Sequence, residues 1–181
     1  MALIIEDGTM PEGANSYVSV AGCDSWQALR GSTTWPPAPA SEDDPNQAKK
    51  EGSLIQACDY LNGLAWKGSR PVAGRVMAWP RVGVVDSDGF GIAPNVVPIN
   101  VPHAQCYLAG LVYDGTDLQP MLARGGAIRM EQVDVLRTEY FEGAPVRDIH
   151  TMLMSLLGGL AMGLDGLIAK NSTTVSKVSL A

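Results

Sequence analysis

Apolar residues recur at helical spacing in four stretches of the chain. Val20, Cys23, Trp26 and Leu29 follow Ser19, a good N-cap residue, and stop before Gly31. Ala48, Leu54-Ile55, Cys58, Leu61 and Ala65 repeat at threes and fours, with Glu51 the one polar residue in the stripe. This second helix is expected to start with Asp44 as cap, Pro45 in the first helical position and Gln47 completing a capping-box variant. Gly52 and Gly63 weaken it and imply close packing at those turns. A third helix is predicted over 101–113, burying Ala104, Leu108 and Leu111-Val112 and ending at Asp114-Gly115. The fourth, over 146–162, carries Ile149, Met152 to Met154, Leu156-Leu157 and Leu160 nearly all round, a pattern that calls for burial on most sides, in part by a neighbouring subunit.

Between the last two helices, Ile128, Met130 and Gln132, then Val135 to Tyr140, alternate as two strands turning near Val133-Asp134. The pattern as a whole predicts a mainly α domain over 16–162, a small bundle of about four helices with an inserted β-hairpin at about 127–141. Residues 1–15 and 163–181 read as extended N- and C-terminal arms. The C-terminal arm is Ser/Thr/Gly/Lys-rich with spaced apolar residues and would reach roughly 60 Å if extended. That spacing suits strand addition to, or groove binding on, a partner, and the arm alone should be disordered.

Composition narrows the classes. The chain has 181 residues, 46% of them hydrophobic, with 20 Gly and 12 Pro, as expected of short elements joined by long ordered loops. No apolar run is long enough to cross a bilayer, and Met1 to Ile5 meets Glu6-Asp7 without a basic start, so the protein is expected to stay in the cytosol or in a particle assembled there. Cys23, Cys58 and Cys106 are far apart and read as small core hydrophobes in a reducing compartment. Net charge is −6 and the pI about 4.8. Neutralising phosphates dominates nucleic-acid affinity, so this balance opposes an autonomous nucleic-acid binder, although a local patch can sit inside an acidic total.

No catalytic, cofactor or metal constellation emerges. Asp86-x-Asp88-Gly89 lacks the remaining ligands of a calcium loop and reads as a turn in which Asp bonds its own backbone. Gly125-Gly126 has no Walker lysine, and His103 and His150 stand in no nucleophile or metal pattern. The expectation is a protein that is not an enzyme. Aromatics and cations interleave at one place only: Trp66-Lys67, Arg70, Arg75, Trp79 and Arg81. These residues either stack and cradle a single strand, or the tryptophans anchor an ordered loop to the core while the cations meet acidic groups of a neighbouring subunit.

Asn15-Ser16-Tyr17-Val18-Ser19-Val20, the helix around Leu54-Ile55-Gln56-Ala57, Trp66-Lys67-Gly68, Ala78-Trp79-Pro80-Arg81, Val97-Pro98 with Ala104-Gln105, and Gly125-Gly126 occur in an order that resembles the head-to-tail adaptor (neck, head-completion) proteins of tailed phages. Relatives of that family are often labelled single-strand-DNA-binding proteins like a primosomal helicase loader. Gly22 and the Pro-rich stretch Thr33 to Asp44 depart from the family's pattern. The resemblance implies a structural virion protein at the head–tail junction, present in the host cytoplasm during assembly. Its partners would be the portal, a tail-side connector or tail terminator, and further copies of itself in a ring, dodecameric to match the portal. Genomic duplex DNA would pass through the lumen without specific binding, and no membrane is involved. In that scheme Leu164, Leu167, Ile168, Val175, Val178 and Leu180 dock on the portal. Trp66, Lys67, Arg70, Trp79 and Arg81 anchor the loop or a subunit interface, and Glu131, Asp134 and Glu139 face the channel. The alternative function is single-stranded-DNA binding in phage replication.

Overall fold

Four helices follow in chain order in the computed structural model, which describes residues 3–39, 44–119, 130–133, 136–139 and 151–162. They are α1 (Val20–Leu29), α2 (Gln47–Asn62), α3 (Asn100–Tyr113) and α4 (Thr151–Leu157). The described residues are mainly helical. α3 is the central element and packs on α1, α2 and α4. It can touch three neighbours because its inward positions are small or slender: Val101, Ala104, Cys106, Leu108, Ala109 and Gly110 are all buried. α2 faces it with Leu54, Ala57, Cys58 and Leu61, and each large apolar side chain so buried contributes about 1.5–3 kcal/mol.

The three cysteines lie inside this helix core as free thiols. Burial, reinforced by the nearby Asp59, pushes the Cys58 thiol up to about 12, and Cys23 is raised by its hydrogen bond to Cys106 and by burial. Both stay protonated and unreactive. After α3, Met130–Val133 (β1) and Leu136–Glu139 (β2) pair antiparallel, with Val133 opposite Leu136 and Met130 opposite Glu139. Residues 134–135 and the chain on both flanks lie outside the described residues, and so does the way this ladder joins the bundle.

Several local expectations are corrected. α2 begins at Gln47, not at Pro45, and its N-cap residue Asn46 makes no side-chain cap bond. The Asp44 carboxylate accepts from the Asn46 N–H at 2.8 Å and also takes Lys50 at 2.7 Å, so it serves a tight turn and an ion pair instead of a capping box. The buried stripe of α2 contains Lys50 and not Glu51, because carboxylate partners wait inside for the ammonium. A Cβ on Gly52 would meet nothing within 4 Å, so no close packing explains that glycine. α4 ends at Leu157, well short of Met162, because Gly158 and Gly159 both take positive φ (55° and 78°) and turn the chain back. Leu153 and Leu157 are buried while Met152 is 48% exposed, so within one chain the helix keeps an apolar residue on its solvent side; residues 146–150 lie outside the described set. The segment after it returns to the body, where Lys67 N–H bonds the Leu160 carbonyl and Met162 N–H bonds the Ala65 carbonyl.

The N-terminal stretch also folds onto the body. Ile5 bridges Ser16, and Glu6 is buried with its Oε1 accepting from the Gly8 and Met10 N–H groups.

Candidate nucleic-acid interface

Among the described residues, the long connection from Gly63 to Ile99 brings cations and apolar groups together at the surface, and its backbone is held at many points. Trp66 donates its indole N–H to the Leu61 carbonyl at 2.8 Å, which folds the loop back over the end of α2. Trp79 lies edge-on to Trp66 at 5.7 Å between centroids, and both rings are buried. The Tyr17 hydroxyl accepts from the Ala78 and Trp79 N–H groups and donates to Asn62 Oδ1. Burial raises the Tyr17 pKa, against the lowering effect of these two backbone donors, and keeps the hydroxyl protonated. The peptide bond between Trp79 and Pro80 is cis.

Arg81 closes the loop. Its guanidinium donates to the carbonyls of Lys67 (2.6 Å), Gly68 (2.7 Å) and Ala78 (3.0 Å). Ser69 and Val82 exchange backbone hydrogen bonds beside it. Gly68 is required there: its φ is +68°, and a Cβ would fall 2.3 Å from the Val82 carbonyl oxygen. The ladder continues with Ile92 N–H to the Val84 carbonyl and Asp86 N–H to the Phe90 carbonyl, both at 2.9 Å. At the tip, Asp86 Oδ1 accepts from the Asp88 and Phe90 N–H groups, which is the Asp-led turn expected from the residues.

The electrostatics of the loop differ from those of the whole chain. No Asp or Glu occurs between Asp59 and Asp86, whereas Lys67, Arg70, Arg75 and Arg81 all do. Arg75 is committed: it reaches the buried Glu6 at 2.7 Å and the Met10 carbonyl at 2.7 Å, tying the loop to the N-terminal segment within one chain. Elsewhere among the described helices and loops, Arg30 lies over Trp26, Lys49 over Tyr113, and Lys50 between Asp24 and Asp44. Lys67, Arg70 and Arg81 have no carboxylate partner among the described residues. Burial, and then the charge of Arg70, lower the pKa of Arg81, so these two guanidinium groups share one field. Lys67 and Arg70 are exposed, and Arg81 is half-buried.

Among the residues singled out from sequence, the structure thus gathers Trp66, Lys67, Arg70, Trp79 and Arg81 on one ordered loop. The tryptophans act as its pins, and no ring face is left open for a base. The Trp66 indole N–H has the partner expected of it; that of Trp79 is buried with no acceptor among the described residues. Glu131 and Glu139 belong to β1 and β2, whereas Asp134 and the set Leu164, Leu167, Ile168, Val175, Val178 and Leu180 lie outside the described residues. His103 sits in the first turn of α3, its pKa lowered by burial and by Arg30. No group of His, Cys, Asp and Glu among the described residues could hold a metal ion, and no described helix is long and apolar enough to cross a membrane.

A protein-family model described as "putative DnaT-like ssDNA binding protein" matches residues 1–175. The chain belongs to this DnaT-like family. Its description names single-strand binding and contains nothing of a head-to-tail adaptor. No curated protein and no solved structure shows significant similarity to the chain.

Sequence reasoning missed three residues that shape this DnaT-like chain. Gln105, fully buried in α3, accepts from the Tyr17 N–H at 2.7 Å and donates to Ser16 Oγ and the Leu54 carbonyl, and so fixes the segment that carries Tyr17 to the loop. Trp35, in the Pro-rich stretch read as plain loop, is buried with its indole N–H on Asp24 Oδ1 at 2.6 Å. Lys50 is buried beside it. The one available signal was the combination of a lone tryptophan with polar residues at core spacing.

Proposed function

We propose that the protein binds single-stranded DNA, with the exposed Lys67 and Arg70 as the phosphate-contacting groups and Arg81, held by backbone carbonyls, adding to their positive field, and that it does so without catalysis, metal or cofactor. The observation that carries this reading is the set of three cations with no carboxylate partner on one ordered loop, in a chain of the DnaT-like family. Arg30, Lys49, Lys50 and Arg75 are each matched by a ring or a carboxylate, so among these side chains Lys67 and Arg70 are where an anion gains most. Trp66 and Trp79 serve as scaffold, because rings buried to this degree cannot stack on bases. A chain of net charge −6 repels a polyanion at long range, so binding should be modest and strongly salt-dependent. Fluorescence anisotropy of a labelled oligothymidylate across a salt series tests this. Replacing Lys67 and Arg70 together by alanine should weaken binding and reduce the slope of log K against log salt by about 1.4, at roughly 0.7 per phosphate contact on a single strand. Both side chains are exposed, so the thermal midpoint should stay in place. An unchanged slope would remove this loop from the interface.

A second reading, the adaptor ring, is favoured by a different observation. Of the ten large apolar side chains most exposed among the described residues, seven lie between Val72 and Ile99: Val72, Val76, Val82, Val85, Phe90, Val96 and Ile99. Surface of this kind concentrated in one loop marks a protein contact in many proteins. In this reading the loop meets a neighbouring copy or the portal at the head–tail junction, and residues 163–181 extend along the partner. Sedimentation of the full chain with and without portal protein, alongside a variant ending at Gly163, gives a portal-dependent ring that the truncation abolishes. A species of unchanged size in every mixture would rule the ring out.

A further inference from the structure

We infer that Phe90 is the base-stacking platform of the strand-binding surface. This inference rests on the single-strand reading above and adds to it the group that would touch the bases.

Phe90 is 70% exposed, and no tryptophan or tyrosine among the described residues is exposed to that degree. Its exposure does not come from a loose backbone. The Phe90 N–H is bound by Asp86 Oδ1 at 2.8 Å, its carbonyl by the Asp86 N–H at 2.9 Å, and the adjoining Gly91 bridges Val85. Gly89, at φ +89°, makes the turn that lifts the ring to the tip. A phenyl ring raised on a backbone this constrained is preorganised for a flat apolar ligand, and little conformational freedom remains to be lost on binding.

The position of the ring fits a strand that also contacts the cations. The segment from Val82 to Val85 bridges Ser69 at one end, near Lys67 in the chain, and Gly91 at the other, next to Phe90. Arg81 and Val85 are four residues apart, roughly 13 Å of extended chain. A single strand following that segment would have its phosphates at the cationic end and an unstacked base at the ring. Asp86 and Asp88, both in the turn that carries Phe90, disfavour a phosphate at the tip, which leaves the neutral face of a base as the group best accepted there. Base–aromatic stacking tolerates any sequence, as the family's description requires of no particular base.

Anisotropy titrations with oligothymidylate and with an abasic strand of the same length separate stacking from phosphate contact. The wild type should bind the thymidylate strand more tightly than the abasic one. Phe90→Ala should weaken thymidylate binding by about 5- to 150-fold, the range expected for one stacked base. It should leave the abasic affinity and the salt slope as they were, and Phe90→Trp should restore the preference. Phe90→Ala binding thymidylate like the wild type overturns the inference. So does a wild type that treats both strands alike, although the effect of the Lys67/Arg70 pair would then still uphold the single-strand reading. Failure of the wild type to bind either strand overturns both. A Phe90→Ala change that alters sedimentation and leaves DNA affinity intact assigns the ring to a protein contact and overturns the inference as well.

Discussion

Trp79→Ala should lower the unfolding free energy by about 3 to 5 kcal/mol, read as a fall in the urea midpoint with little change in slope. A typical domain has only about 5 to 15 kcal/mol in total, so this one change would take a large share. Trp79 is 1% exposed, and its ring fills the space between Trp66 and the core. Removing it leaves a cavity and takes away the edge-to-face contact that holds Trp66 on α2. Trp79→Phe should cost less than half as much. It keeps an aromatic ring that fills most of the same space, and the indole N–H it gives up has no acceptor among the described residues. The pair of variants also bears on function. If the tryptophan is scaffold, DNA binding at low denaturant should follow the folded fraction, so that Trp79→Phe binds nearly as well as the wild type. A Trp79→Ala unfolding free energy within about 0.5 kcal/mol of wild type would remove Trp79 from the role of pin.

Lys50→Met should cost about 3 to 5 kcal/mol at neutral pH, because it strips the cation from a buried cluster and leaves carboxylates behind. Lys50 Nζ lies 2.9 Å from Asp24 and 2.7 Å from Asp44, with its side chain fully buried, and Asp24 in turn holds the Trp35 indole. The cluster fastens the Pro-rich segment before α2 to α1. Adding Asp24→Asn to Lys50→Met should recover part of the loss, since one uncompensated charge disappears with it. The pH dependence has a definite sign. Burial opposes the charge on Lys50, but the hydrogen bonds it donates to Asp44 and Asp24 outweigh it, and the pKa is raised. That contribution is complete below the ordinary lysine pKa of about 10.4 and is lost as pH rises through the higher folded value. Asp44 is lowered, chiefly by its bond to Lys50, so its contribution is present above about 3.9 and is lost as pH falls through the lower folded value. The wild type should therefore hold a plateau between these limits, and Lys50→Met should flatten both edges. Asp7, lowered by Thr9, keeps some acid dependence in either protein. Chemical denaturation at a series of pH values checks this, and an acid limb unchanged in Lys50→Met would show that Asp44 does not depend on the lysine.

Much of the helical framework was legible in the residues. Ser19 caps α1, as its side chain and the following apolar spacing required, and its Oγ accepts from the Gly22 N–H. α3 runs one residue longer than its periodicity predicted. These elements are readable because a helix that buries one face must repeat its apolar positions every three or four residues, a local property of the chain. The Asp86 turn was readable for a similar reason, since the bonds that make it span only a few residues.

Partners distant in sequence were not legible. Lys50 and Gln105 look like solvent-facing residues until the fold sets Asp24 and Asp44 around the first, and the Tyr17 N–H with the Leu54 carbonyl around the second. The cation-rich loop could be seen in the sequence, but not which cations remain without an acid: Arg75 is withdrawn by Glu6, 69 residues earlier, and Lys67, Arg70 and Arg81 are left. The exposure of Phe90 was equally unreadable, because an apolar residue in a Gly-rich stretch is as easily buried as raised on a turn. The sequence by itself determined where helices form, that the thiols are inert core groups, and that Trp66 and Trp79 lie on an ordered loop, because each follows from local spacing and side-chain chemistry. Only the tertiary structure decided which charges are neutralised and which rings are covered, because both depend on what long-range folding brings within a few ångströms.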